Sequence, residues 1–138
     1  LIKVAKNDPV VVMVDDRGAR GMGKGETALL GIYNDPEIEI MGVVAVASNG
    51  KDRCGLLPTF SITKDGSKVK GSVDKYGNSF GDGGMGGDTL SVLKEIKVPV
   101  IVGIGDPGKM DGKDEVELGA PITTAALREI MQYNEEKA

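Results

Sequence analysis

The sequence predicts a single α/β domain over residues 1–138, with a mostly parallel β-sheet flanked by helices. Short apolar runs rich in β-branched residues occupy residues 10–14, 41–47 and 98–102. Such runs are too short for helices and are typical of strands buried on both faces of a parallel sheet. Segments with helical spacing of apolar residues separate or follow these runs. This alternation of strands and helices indicates α/β architecture.

The first half of the chain predicts one strand–helix–strand unit. The strand over residues 10–14 leads into a charged, glycine-rich loop, and a helix follows from about Glu26 to Tyr33. The sequence Asn34-Asp35-Pro36 ends this helix, because the residue before a proline disfavours helical geometry. The strand over residues 41–47 comes next. A right-handed connection between the two parallel strands gives a Rossmann-like arrangement.

The middle of the chain predicts a β-hairpin between Phe60 and Val73. Apolar residues alternate with polar ones on both sides of Asp65-Gly66, a dipeptide typical of tight hairpin turns. We expect this hairpin to be a peripheral antiparallel addition to the sheet. Residues 78–87 are unusually rich in glycine, and no regular structure is predicted for them.

The second half predicts a helix, the central strand and a final helix. Asp88 is a good N-cap for a helix that extends to about residue 96. The strand over residues 98–102 follows, and residues 113–118 are expected to form one helical turn. A final helix begins at about residue 121 or 123 and ends at about residue 136. The residues expected to face the core are Leu90, Leu93 and Ile96 in the first helix, and Ala126, Leu127, Ile130 and Met131 in the last.

Composition and charge exclude several classes of protein. A net charge of −4 and a pI near 4.9 argue against a nucleic-acid-binding protein, which is usually basic. The chain has no histidine, which excludes Ser-His-Asp and Cys-His hydrolases and histidine zinc sites. Cys54 is the single cysteine, so no internal disulfide can form. No apolar run approaches the ~20 residues of a transmembrane helix, and no signal peptide is visible.

The glycine-rich loop after residues 98–102 is the first candidate site, because ligands of open parallel sheets bind beyond the carboxyl ends of strands. The candidates for contact with a ligand or partner are Gly103, Gly105, Asp106, Gly108 and Lys109. Among them Gly103, Gly108 and Lys109, with four residues between the two glycines, match most of a phosphate-binding loop. However, Met110 stands where that loop needs Ser or Thr, and Pro107 lacks a backbone N–H. A tight turn that ends the strand is the simplest interpretation, and a small-ligand or metal loop at Asp106 is the alternative.

A second candidate site lies in and after the charged loop. Its residues are Asp15, Asp16, Arg17, Arg20 and Glu26. The three carboxylates, with Asp106 as a fourth, could supply oxygen ligands to Mg²⁺. This arrangement loosely resembles the acidic part of Toprim folds, in which case the sheet would be Toprim-like. The two arginines could hold an anion or only neutralise the carboxylates. Solvated carboxylates are the simpler interpretation, so neither a metal nor a cofactor is expected.

Eight segments in order carry a resemblance to one protein family. They are residues 8–18 (DPVVVMVDDRG), 23–26 (GKGE), 38–48 (IEIMGVVAVAS), 71–77 (GSVDKYG), 87–89 (GDT), 98–110 (VPVIVGIGDPGKM), 113–116 (KDEV) and 119–123 (GAPIT). Together they resemble the stage V sporulation protein AE family, a soluble component of the SpoVA complex of spore-forming Firmicutes. Residues 51–57 and 78–86 depart from the family pattern.

The resemblance implies a role and a location. The family serves the machinery that moves dipicolinic acid with calcium into the forming spore and releases it at germination. Association with the inner spore membrane would be peripheral. The implied partners are other SpoVA-type or germination proteins, with dipicolinate as a candidate small anion. The family supplies no catalytic residues and has no established enzymatic activity.

The resemblance also implies that a strand–helix unit precedes residue 1. Residues 1–6 look like the last turns of an amphipathic helix, which agrees with this expectation. If the strand of that unit is missing, the sheet would expose an edge. Two copies of the chain could then pair through it as a homo-oligomer.

Three functions stay open on the sequence. The first, favoured by the family segments, is a non-enzymatic accessory protein of sporulation and spore germination that acts through partner or small-ligand contacts. The second is a metal-dependent phosphoryl-transfer enzyme that uses the strand-end carboxylates. The third is a module for an anion such as dipicolinate, whose two carboxylates suit Arg17, Arg20 or Lys109.

Overall fold

The computed structural model describes residues 1–14, 24–47, 56–81, 83–86 and 90–137. Within these residues the strands are β1 (Val43–Val46), β2 (Phe60–Ile62), β3 (Lys68–Val69), β4 (Ser72–Val73), β5 (Ser79–Gly81) and β6 (Ile101–Ile104). The helices are α1 (Lys24–Asn34) and α2 (Pro121–Lys137). Short 3-10 turns lie at Ile2–Val4, Leu90–Lys94, Pro107–Lys109 and Val116–Leu118. The predicted mixed α/β class is confirmed.

The main sheet has four strands in the order β1-β6-β2-β3. β6 lies between β1 and β2 and is parallel to both, with Val102 opposite Val44 on one side and Phe60 on the other. The prediction of a central strand in this region is therefore confirmed, although the strand begins at Ile101 and ends at Ile104. Four strands in this order do not establish the Rossmann-like or Toprim-like assignment.

Both faces of the main sheet are covered. Ala45 and Ala47 join α1 and the turn at Leu90–Lys94 in one hydrophobic core. Val102 and Ile104 join α2 in a second core, where the partly buried Val44 and Val46 also pack. Because successive side chains of a strand point to opposite faces, continuous apolar runs are needed here, as the sequence predicts.

The prediction that the hairpin lies at the periphery of the sheet is wrong for its first strand, β2. β2 does pair antiparallel with β3, around a turn in which Gly66 has φ +82°, but it also pairs parallel with β6. All three residues of β2 are buried, including Ser61, whose hydroxyl donates to the Gly71 carbonyl at 2.7 Å. That bond satisfies the polar side chain, so an apparently alternating strand fits inside the sheet.

β4 and β5 form a separate two-stranded sheet, although no structure is predicted for residues 78–87.

The predicted buried strand over residues 10–14 is also wrong. This segment belongs to neither sheet, and the side chains of Val11 and Met13 are 71% and 91% exposed. The apolar composition of this run does not specify which strand it pairs with. In the described residues, β1 is paired only with β6. The strand–helix–strand unit is therefore represented by α1 and β1 alone.

The helices agree with the sequence in part. α1 and α2 are confirmed with slightly wider bounds, and Ala126 and Ile130 are buried as expected. Met131, predicted to face the core, is 44% exposed, and Ile122, one turn before Ala126, is buried. The helix expected up to residue 96 is a 3-10 turn at Leu90–Lys94. The turn near residues 113–118 is confirmed as a 3-10 turn at Val116–Leu118.

The residues of this segment that were predicted to face the core, Leu90, Leu93 and Ile96, are buried as expected although the backbone forms a 3-10 turn. Val92 is buried with them.

In the parts of the chain that the structure describes, no helix is long and apolar enough to cross a membrane.

Candidate functional site

Three loops meet beyond the carboxyl ends of β2 and β6, and together they form the surface that we call the strand-end surface. They are the turn over residues 63–67, the turn over residues 74–78 and the loop over residues 105–113. Lys64 N donates to the Gly77 carbonyl at 2.9 Å, and Asp106 N donates to the Lys75 carbonyl at 2.8 Å. Because β2 and β6 are parallel, the first and third loops lie at the same end of the sheet. The second loop is hydrogen-bonded to both.

Two of the candidate glycines, Gly103 at the end of β6 and Gly105 in the loop, lie too close to neighbouring atoms for a side chain. A Cβ at Gly105 would lie 2.5 Å from Gly77 N, and one at Gly103 would lie 2.5 Å from Ser61 Oγ. Neither glycine can be replaced without a shift of its neighbours. Met110 is fully buried beneath the loop, and its sulfur would lie 2.9 Å from a Cβ at Gly105. The residue that departs from the phosphate-binding pattern is thus a core residue.

Asp106 and Lys109 are paired with groups of their own loop. Asp106 Oδ1 accepts from Gly108 N at 3.0 Å, and Asp106 Oδ2 lies 3.3 Å from Lys109 Nζ. Asp106 is thereby the N-cap of the 3-10 turn at Pro107–Lys109. The structure thus shows a tight turn after β6, and the interpretation of Asp106 as part of a small-ligand or metal loop stays a prediction.

Further ion pairs join the first and third of these loops. Lys113 Nζ lies 2.9 Å from Asp65 Oδ1, and Lys64 Nζ lies 3.8 Å from Asp111 Oδ2. The hydrogen bond from Lys113 lowers the pKa of the Asp65 carboxyl, and the same bond raises the pKa of Lys113. Because these side chains are partly or largely exposed to solvent, the pairs contribute little to the stability of the fold.

Lys75 and Tyr76 lie on this surface and are not among the sequence candidates. The Asp74 carboxylate accepts from the backbone N–H groups of Tyr76 and Asn78, which fixes the turn between β4 and β5. Tyr76 is 48% exposed, and Lys75 Nζ lies 5.0 Å from its ring centroid. Asp74 followed by Gly77 and Asn78 is a turn signal that could have located them. An exposed aromatic ring on a rigid turn is suited to contact with another molecule.

The predicted site residues have different outcomes. Gly105, Asp106, Gly108 and Lys109 lie at the strand-end surface, whereas Gly103, predicted to lie in the loop, is buried within β6 between Ala45 and Ser61 of the neighbouring strands. Asp15, Asp16, Arg17 and Arg20 lie outside the described residues. Glu26 is 4% exposed in the first turn of α1. In the described ranges, no group of three His, Cys, Asp or Glu side chains is placed to hold a metal ion.

Asp114 is a buried carboxylate that the sequence did not single out. The residue is 3% exposed. Its carboxylate accepts hydrogen bonds from Ile122 N at 2.7 Å, Thr123 N at 2.9 Å and Thr123 Oγ1 at 2.6 Å. These donors belong to the first turn of α2, so Asp114 caps that helix from seven residues before it begins. It attaches the loop that follows β6 to α2.

Comparisons with known proteins give one match. A family model described as stage V sporulation protein AE1 matches residues 1–134 of the 138-residue chain. Neither a curated protein nor a solved structure matches the chain.

Proposed function

The chain belongs to the stage V sporulation protein AE1 family, and from this premise we propose that it is a non-enzymatic accessory protein of spore dipicolinate transport. The family implies a role in sporulation. In the proposal, the chain assists the machinery that takes up dipicolinic acid with calcium and releases it at germination. It acts there by binding a protein partner.

The observation that carries the contact role is the way the strand-end surface is built. Asp106, Lys109 and Gly108 N are bonded to one another, and Asp65 is paired with Lys113. The turn that presents the half-exposed Tyr76 is held by hydrogen bonds to the Asp74 carboxylate. A pre-organised surface with an exposed aromatic ring favours protein contact, because little side-chain freedom is lost on binding.

Attachment to the inner spore membrane is, in this proposal, through the partner. The net charge of −4 is unfavourable for direct binding to an anionic lipid surface. A membrane-bound partner that contacts the strand-end surface would give a peripheral location.

The proposal is tested by complementing a strain that lacks the gene with wild type, Tyr76→Ala or Met131→Ala. Tyr76 and Met131 are 48% and 44% exposed, so both changes spare the core, but only Tyr76 lies on the strand-end surface. We expect germination after nutrient addition to be delayed with Tyr76→Ala and normal with Met131→Ala. Equal germination in all three complemented strains would contradict the role of this surface.

Titration calorimetry separates protein contact from small-ligand binding. The purified chain is titrated with dipicolinate, with and without Ca²⁺. We expect no heat of binding at millimolar ligand, because the lysines 64, 109 and 113 at the strand-end surface already face carboxylates of the same chain. Saturable heat would favour an anion-binding module instead.

A further inference from the structure

The turn before α2 exposes two apolar side chains beside acidic ones, and we call its residues 115–119 the acidic apolar turn. Val116 and Leu118 are 84% and 64% exposed on this turn. The turn begins two residues after Lys113, whose ammonium group is paired with Asp65 of the strand-end surface. The acidic apolar turn therefore follows directly on the loop that contributes to that surface.

Hydrogen bonds between near neighbours determine the conformation of this turn. The Glu115 carbonyl accepts from Leu118 N at 3.0 Å and from Ala120 N at 2.9 Å. Thr124 Oγ1, in the first turns of α2, donates to the Gly119 carbonyl at 2.9 Å. Apolar side chains that stay exposed on a hydrogen-bonded turn lose little backbone freedom when they bind, which favours contact with a partner.

The charged side chains of the turn are both acidic. Glu115 and Glu117 are exposed, and in the part of the chain that the structure describes neither forms an ion pair. The carboxylates of the strand-end surface differ, because Asp65, Asp106 and Asp111 each face a lysine. The turn thus presents negative charge that no described cation neutralises, next to its two exposed apolar side chains.

This combination of groups distinguishes between possible occupants. An anionic lipid surface is disfavoured, because membrane-binding apolar faces are usually bordered by Lys and Arg. A second copy of the chain is disfavoured as well, since a twofold contact would bring Glu115 and Glu117 of the two copies together. A protein segment that has apolar side chains with Lys or Arg beside them is complementary to both features of the turn.

We propose that the acidic apolar turn binds a basic, apolar segment of the partner protein. Val116 and Leu118 pack against apolar side chains of that segment, and Glu115 and Glu117 face its Lys or Arg side chains. The inference rests on the proposed function for the existence of a protein partner, and it adds the chemistry of the segment that is bound. Membrane proteins carry an excess of Lys and Arg in the loops on one side of the membrane, so a membrane-bound partner can supply such a segment.

Photocrosslinking in sporulating cells tests the proposal. A strain that lacks the gene is complemented with the full chain carrying p-benzoylphenylalanine in place of Leu118, Tyr76 or Met131. Met131 is the control position, since it is 44% exposed in α2 and lies on neither surface. We expect covalent product from positions 118 and 76 but not from position 131. Mass spectrometry of the product from position 118 should identify a segment of another protein with more Lys and Arg than Asp and Glu.

A matched pair of charge reversals tests the contribution of the two glutamates. Glu115→Lys/Glu117→Lys, combined with the cross-linker at position 118, should lower the yield of product at least about fivefold, because lysines then face the basic segment. The control Glu135→Lys/Glu136→Lys makes the same change in net charge at exposed positions of α2 and should leave the yield unchanged. The cross-linked segment is identified without either reversal, so that result does not depend on how the reversed chains fold.

Four results would overturn the inference while leaving protein contact at the strand-end surface intact. They are a product from position 76 but not from position 118, a segment from a second copy of this chain, a segment that is not basic, and equal yields with the two charge reversals. A chain that gives no product from position 76 or position 118 would contradict the proposed function together with the inference.

Discussion

At the scale of single residues, the fold depends on buried polar groups whose hydrogen bonds are made within the chain. Ser61 and Asp114 are both buried, and each bonds to backbone groups distant in sequence. Their residue types alone predict exposure, because Ser and Asp are mostly found on protein surfaces. Only the tertiary contact shows what satisfies each side chain.

Asp114→Ala should destabilise the protein by about 1–3 kcal/mol, because two backbone N–H groups and the Thr123 hydroxyl lose a buried acceptor. Asp114→Asn, which keeps one carbonyl oxygen, should lose less. The control Glu117→Ala changes an exposed carboxylate in a nearby turn and should stay within about 0.5 kcal/mol of wild type. Urea denaturation measures all three. If Asp114→Ala is as stable as the control, Asp114 does not cap α2.

At the scale of elements, the loop after β6 illustrates how one sequence motif can have two interpretations. Gly103, Gly105 and Gly108 have the spacing of a phosphate cradle, but the first two are required by contact with Ser61 and Gly77. The third has its N–H bonded to Asp106. The loop is therefore better described as the junction between β6 and the neighbouring turns.

Gly105→Ala and Gly108→Ala make a matched pair that tests this description. The Cβ of Gly105→Ala would lie 2.5 Å from Gly77 N, so we expect a loss of about 1–3 kcal/mol from overpacking. The Cβ of Gly108→Ala would meet only Asp106 Oδ1, at 3.6 Å, so stability should change by no more than about 0.5 kcal/mol. Thermal and urea unfolding report the difference. Equal stability of the two variants would show that the contact with Gly77 is not tight.

The elements also show what the sequence could and could not predict. The burial of β1 and β6 and the extent of α1 and α2 follow from local patterns, and all were predicted within a few residues. The partners of a segment depend on distant residues. Residues 10–14 have the composition of a strand but no neighbour in the sheet, whereas β2 has an alternating pattern but a parallel neighbour on β6.

The sequence located one part of the strand-end surface and missed another. The rule that ligands bind beyond the carboxyl ends of parallel strands located Asp106 and Lys109 correctly at a convergence of loops. It did not identify Tyr76, because the turn that carries it comes from the small β4-β5 sheet and reaches this end of the main sheet through hydrogen bonds to Lys64 and Asp106. Sequence spacing holds no information on that contact.

At the scale of the whole molecule, the described residues form two hydrophobic cores on opposite faces of one sheet, and the strand-end surface lies beyond one end of it. Membership of the stage V sporulation protein AE1 family implies a role in sporulation, to which we add the proposal that the strand-end surface contacts a partner.

The rate of dipicolinate release from spores that lack the gene tests this account most directly. Release after nutrient addition is followed by terbium fluorescence, in parallel with the parent strain and with the deletion strain complemented by wild type. We expect slower release from the deletion strain and restoration by complementation. Release at the parental rate from spores without the protein, with parental dipicolinate content, would contradict a role in dipicolinate transport.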